Sequence, residues 1–189
     1  MTGLSTNASH FAWPRRRRVS LTTVRCRTSR RIPLGPAALA GLAAGALLAA
    51  LPAVAAPSQT EQQLLGAINK TRLQHGLRTL RFSDMLSVAS RAQSSYLASL
   101  GTLDHEGQDG QPFYVRLRAA GYPKTRALGE TLGLVTGCST DRASMIVSLW
   151  LGSPGHRAIL LSPRYHVVGL GVIAGAGCGA TIYTADFGG

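Results

Sequence analysis

From Ser58 onward the apolar positions recur first at helical and then at strand spacing, and the two periods divide the chain into predicted elements. Ser58 with Glu61 reads as a capping box, and Leu64, Leu65, Ile68 and Leu73 continue as a helical stripe that His75-Gly76 stops. Leu77 to Phe82 is a connector carrying Leu80. Ser83-Asp84 restarts a helix with Met85, Leu86, Val88, Ala89, Ala92, Tyr96 and Leu97 turned inward, ending at Gly101. "TLDHEGQDGQ" is a loop by composition. "PFYVRLRAAGY" predicts a third helix between Pro112 and Gly121, and Ala127 to Val135 an extended or irregular buried segment. Thr140 is the expected cap of a fourth helix, Asp141 to Leu151, with Ala143, Ile146, Val147 and Trp150 on its apolar face. A short fifth helix follows Pro154.

The period then changes to two. "HVVGLGVIAG" and "ATIYTADFGG" alternate as strands do, and the glycine-rich "AGAGCGA" joins them as a hairpin. Those glycines are turn chemistry, because no strand-loop-helix context surrounds them to make a phosphate loop. Helices packed on a small antiparallel sheet predict an α+β domain.

Charge changes this picture only at the N-terminus. The chain of 189 residues carries a formal charge of +12, a value that suggests nucleic acid. Its distribution argues otherwise. Arg15, Arg16, Arg17, Arg18, Arg25, Arg27, Arg30 and Arg31 precede every acidic residue, and Ile32 to Thr60 is uncharged. A basic stretch, an apolar run and the small residues Ala53-Val54-Ala55 are the parts of a secretory signal covering residues 1–55, with a long basic start. The rival readings are an uncleaved anchor and a twin-arginine signal. The run is rich in Ala and Gly and holds Pro33, Pro36 and Pro52, which favours cleavage over a stable membrane span. Residues 56–189 keep the other 12 basic residues against 8 acids, an ordinary surface that excludes a nucleic-acid patch. Two cysteines follow the signal, Cys138 and Cys178. In an exported chain they read as one disulfide, against the alternative of two buried thiols.

Chemistry enters at "SLWLGSPGHRAILLSP". Gly152 stops one helix, Ser153 is placed to cap the next, and Pro154 suits its first position. His156 falls in that helix's first turn, near the positive end of its dipole, where a neutral ring is favoured.

Five pieces in order resemble one family: "LLGAINKTRLQHGLRTLRFSDML", "LDHEG", "LGET", "SLWLGSPGHRAILLSPRYHVVGLGV" and "YTADFGG". They are similar to the CAP superfamily of cysteine-rich secretory, antigen 5 and pathogenesis-related proteins, in its short bacterial SCP-like extracellular branch. The resemblance spans about residues 60–189 of a domain taken as 56–189. It implies an α-β-α sandwich, export to the periplasm or the medium, and a cavity lined by two His and two Glu. Matched residue by residue, the first His is His105, the first Glu is Glu130 and the second His is His156. Ser153 stands where eukaryotic members carry the second Glu.

His105 and His156, with Glu130 as partner, are therefore candidate ligands for a divalent metal, zinc first, and candidate catalytic groups. No cofactor is required by this reading. The plainer reading is a polar knot. Glu130 lies in the apolar run "ALGETLGLV", where an unpaired carboxylate is costly, and a histidine, Arg126 or Arg157 would satisfy it. Asp104 and Glu106 are expected on a solvated loop edge and Trp150 in the core. The favoured function is a binding module for a lipid, glycan or cell-wall fragment. The alternatives are a metal-assisted hydrolase of peptide or envelope polymer and an envelope interaction protein.

Overall fold

The computed structural model describes residues 55–124, 126–175 and 179–189. The leader and most of its expected cleavage site lie outside the described residues, as does Cys178, one half of the expected disulfide.

The elements run α1 (Gln59–Gln74), β1 (Arg81–Phe82), α2 (Asp84–Leu100), α3 (Phe113–Ala119), β2 (Leu128–Val135), α4 (Arg142–Gly152), α5 (Pro154–Leu160), β3 (Val167–Ala174) and β4 (Thr181–Gly188). Their ends follow local chemistry. The Ser58 capping box forms with both of its hydrogen bonds. Ser83 caps α2 through Leu86 N, and Gly101, at φ 71°, closes it in the left-handed region. The fourth helix is capped by Asp141 rather than Thr140, because the Asp141 carboxylate accepts from Ser144 N at 3.1 Å. Ser153 occupies the N-cap of α5, but its side chain makes no capping bond.

The strands form one sheet in the order β1-β3-β4-β2. The three long strands are antiparallel, as the hairpin pattern predicts. Two-residue β1 joins β3 in parallel, so the sheet is mixed. The segment read as extended or irregular is the regular edge strand β2.

Helices cover both faces. Tyr183, Ala185 and Phe187 of β4 enter a core with Leu64 and Ile68 of α1, Trp150 of α4 and Leu160 of α5. The alternate positions face α2: Ile182 clusters with Leu97, while Thr184 and Asp186 meet Ser94 and Ser90. Every residue of β4 is consequently buried. Trp150 ties the first core to the edge strand by donating its indole N–H to Leu132 O at 2.8 Å. Loss of a side chain this size from a closed core costs about 3–5 kcal/mol.

The α2 contact is unlike an apolar layer. A Cβ at Gly169 would overlap the main chain of Leu86 and Ser87, and one at Gly171 the main chain of Ser90 and Arg91. The helix thus lies with its backbone directly on β3. Buried Ser87 accepts from Leu170 N at 3.0 Å, Ser90 donates to Asp186 Oδ2 at 2.7 Å, and Ser94 bonds Gly171 O and the Thr184 hydroxyl, each at 2.8 Å. The buried stripe of α2 is Leu86, Ser87, Ala89, Ser90, Gln93, Ser94 and Leu97. Met85 and Val88, expected inward, are exposed, because serines occupy the strand-facing positions.

Candidate functional site

His105 stands on the loop between α2 and α3. The buried amide of Gln93, one turn before the end of α2's inner stripe, donates to Asp104 O and Glu106 O, both at 2.9 Å, and so grips the loop on either side of the histidine. Asp104 and Glu106 themselves are exposed, as expected of a loop edge.

His105 Nδ1 lies 2.8 Å from Glu130 Oε1. This contact is the histidine partner foreseen for Glu130, whose side chain is fully buried at the start of β2. Its other oxygen is bonded by Arg116 of α3, not by Arg126 or Arg157. The guanidinium spans a second carboxyl, with Nη2 3.6 Å from Asp186 Oδ1. That separation is within ion-pair range but beyond a good hydrogen bond. Burial, followed by the neighbouring Glu130, pushes the Asp186 carboxyl well above its usual range despite the pull of Arg116. Burial thus favours the protonated form of Asp186, whose Oδ2 accepts from Ser90.

His156 opens α5, and its ring centroid is 6.2 Å from that of His105. Burial and then the charge of His105 lower its pKa, which favours the neutral ring, whereas the sequence argument rested on the helix dipole. His105 moves the opposite way. Its hydrogen bond to Glu130 raises its pKa, outweighing its partial burial. Two imidazoles whose pKa values are shifted in opposite directions thus stand side by side.

They share a cavity of about 450 Å³ with Phe113, Leu128, Gly129, Glu130, Ser153, Ile159 and Tyr165 among its lining residues. Tyr165 lies against the strand, its hydroxyl donating to Leu128 O at 2.9 Å. Gly129 permits this, since a Cβ there would overlap the Tyr165 ring and Ile159. Ser153 lines the same cavity.

The three candidates therefore meet at one place, but not as three metal ligands. Both Glu130 oxygens are engaged, one by His105 and one by Arg116. Among the described residues no group of three His, Cys, Asp or Glu side chains could hold a metal ion. Arg116, Asp186, Gln93 and Ser90 were not singled out by sequence reasoning. Asp186 alone carried a usable signal: an acid inside the buried strand "YTADFGG" demands a partner as Glu130 does.

Residues 65–187 match the sequence profile of the cysteine-rich secretory protein family, CAP. The chain belongs to the CAP family. A curated relative, the uncharacterised protein YkwD of Bacillus subtilis, is 28% identical over 131 residues, 69% of this chain and 47% of its own length. This chain thus spans about half of that relative. The fold is similar to an outer surface protein of Borrelia burgdorferi, with TM-score 0.57, 19% identity, and 71% of this chain and 95% of that one covered. It is also similar to an extracellular protein containing an SCP domain from Bacillus anthracis, with TM-score 0.55 and 23% identity, covering 67% of this chain and 39% of the other. A cysteine-rich secretory protein of Staphylococcus aureus gives TM-score 0.51 at 20% identity, covering 67% and 37%. The chain is thus a CAP domain of the α+β type found in bacterial extracellular proteins. No helix of the described residues is long and apolar enough to cross a membrane.

Proposed function

We propose that this CAP domain is an exported binding module whose cavity takes a glycan or cell-wall fragment. The observation that carries the reading is the cavity's division into two kinds of wall. Phe113, Leu128, Ile159 and Tyr165 offer apolar and aromatic surface, while His105, Glu130, His156 and Ser153 supply polar groups. Such a mixture suits a ligand with an apolar ring face and a hydroxylated edge. A lipid chain would meet polar and charged groups over much of the wall and is the less suitable ligand. Export rests on the basic leader and apolar run, and N-terminal sequencing of the secreted protein is expected to begin at Ala56.

Titration of the full processed protein with soluble cell-wall fragments, followed by amide chemical shifts, tests the binding reading. Shifts should cluster on residues 105, 113, 128–130, 153–159 and 165, and His105→Ala should weaken binding. Shifts confined to other surfaces would reject it.

One observation favours hydrolysis as the second reading: the rings of His156 and His105 lie 6.2 Å apart with pKa values lowered and raised respectively, the order a base and acid pair needs. Turnover of a peptide or wall polymer, abolished by His156→Ala, would establish it.

A further inference from the structure

Two further cavities meet at His166, at the same end of the sheet. One, of about 480 Å³, is lined by Arg81, Ser83, Met85, Tyr122, Pro123, Arg126, His166, Val167 and Gly189. The other, of about 280 Å³, includes Arg72, Arg78 and His166. It also includes Tyr165, which borders the separate His105 cavity as well.

Tyrosines aside, the ionisable side chains that line these two cavities are basic, and the main chain of Gly189 lines the larger cavity with them. Among the described residues no acidic side chain lines either cavity. Buried Arg72 spends its donors on the carbonyls of Arg78, Leu160 and Ser162. Arg78, Arg81 and Arg126 are exposed, and no ion pair holds them among the described residues. Seven of the eight acids lie elsewhere: Glu61 pairs with Arg91, Glu130 and Asp186 stand in the buried cluster, Asp104, Glu106 and Asp109 lie on the loop beyond α2, and Asp141 caps α4. Asp84 is the neighbouring acid in sequence, at the exposed first turn of α2.

We infer that the larger cavity is a binding site for a phosphate ester of a small polyol or sugar. The donors that line it come from four separate segments: Arg81 from β1, Ser83 from the α2 cap, Arg126 from the approach to β2, and His166 from the approach to β3. The Ser83 oxygen already accepts from Leu86 N, which leaves its O–H to donate outward. Two guanidinium forks, a hydroxyl and an imidazole exceed what a planar carboxylate can satisfy with two oxygens. A tetrahedral phosphate presents enough acceptors for all of them. Met85, Pro123, Tyr122 and Val167 wall the remaining space, which is large enough for the carbon skeleton carrying the phosphate. The site is separate from the His105 cavity and stands or falls independently of the function proposed for it.

The test is calorimetric titration of the processed protein with sn-glycerol 3-phosphate at low ionic strength, with glycerol as the uncharged control. The expected result is saturable binding of the phosphate ester alone. Arg81→Gln/Arg126→Gln should weaken it by about tenfold or more, since each lost charge-assisted hydrogen bond is worth on the order of a factor of ten. Arg126→Gln alone should give part of that loss, which keeps the test decisive if the double variant folds poorly. The charge-matched control Lys70→Gln/Arg157→Gln and the variant His105→Ala should both bind as wild type does. Sedimentation with phosphatidylglycerol vesicles separates the sources. Vesicle binding lost in the Arg81/Arg126 variant assigns a lipid headgroup, and soluble binding without vesicle binding assigns a free or polymer-borne ester. Absence of binding by wild type, equal loss in the control pair, or loss in His105→Ala would overturn the assignment.

Discussion

Glu130 on β2 and Asp186 on β4 are directly opposed in the antiparallel register, and both side chains are buried. Two carboxylates in that position would repel; Arg116 contacts both, and burial together with Glu130 raises the Asp186 pKa, which favours a proton there.

Replacement of that acid separates charge from shape. Asp186→Asn keeps an acceptor for Ser90 and supplies an amide donor toward Glu130. It should match or exceed wild-type stability at pH 7. Asp186→Ala strips partners from Ser90 and Arg116 and should cost about 2–3 kcal/mol. The raised Asp186 pKa means that the folded chain keeps a proton the unfolded chain releases. That stabilisation is full below the unfolded value and is lost as pH rises toward the folded one. Urea denaturation between pH 4 and 8 should therefore show a smaller decline for the Asn variant than for wild type.

The two cavity histidines should titrate on opposite sides of the ordinary imidazole value. His105 is raised by its bond to Glu130, so the stability contributed by the pair is complete below the ordinary value and lost as pH climbs through the raised one. His156 is lowered by burial and by His105. Proton–nitrogen correlation spectra across pH 5–9 would measure both. Glu130→Gln should bring His105 down, and a His105 unaffected by that change would refute the coupling.

Zinc should bind only weakly. With Glu130 engaged on both oxygens, the cavity offers two imidazoles and water, one protein ligand short of a usual catalytic site. Competition against a chromophoric chelator should give weak affinity in the wild type. His105→Ala and His156→Ala should each lower it by about tenfold or more. Equal affinity in all three proteins would remove these residues from any metal site.

Cys138 and Cys178 are expected to form a disulfide. Val135 pairs with Thr181, and the two cysteines lie three residues after the first and three before the second. Thiol labelling of the denatured, unreduced protein should find neither reactive. Closing a loop of about 40 residues should contribute roughly 4 kcal/mol on the chain-entropy account, read as the stability lost on reduction.

The elements were readable because their signals are local. Ser58 with Glu61, Ser83, Gly101 and Pro154 mark ends by short-range hydrogen bonding and backbone geometry, and these positions match. The inner face of α2 was not readable. Hydropathy assigns Met85 and Val88 to the core, yet Ser87, Ser90 and Ser94 hold the buried positions because strand groups satisfy them. The cavity trio was legible only through family resemblance, since 25 residues separate His105 from Glu130 and 26 separate Glu130 from His156. Arg116 reaches Glu130 from 14 residues away through tertiary packing, and no periodicity announces it.

Backbone lying on backbone at Gly169 and Gly171 leaves α2 without a compliant layer to absorb displacement. A helix seated on leucines can slide by a fraction of a turn and repack. Here a slide would drive main chain into main chain and break every serine contact together. The helix therefore acts as a rigid gauge block: Ser90 sets the position of Asp186, and Gln93 sets the loop that presents His105. The spacing between the two is written into one turn of a helix that cannot creep. Tolerances at the cavity are in this way inherited from a contact on the other side of the sheet.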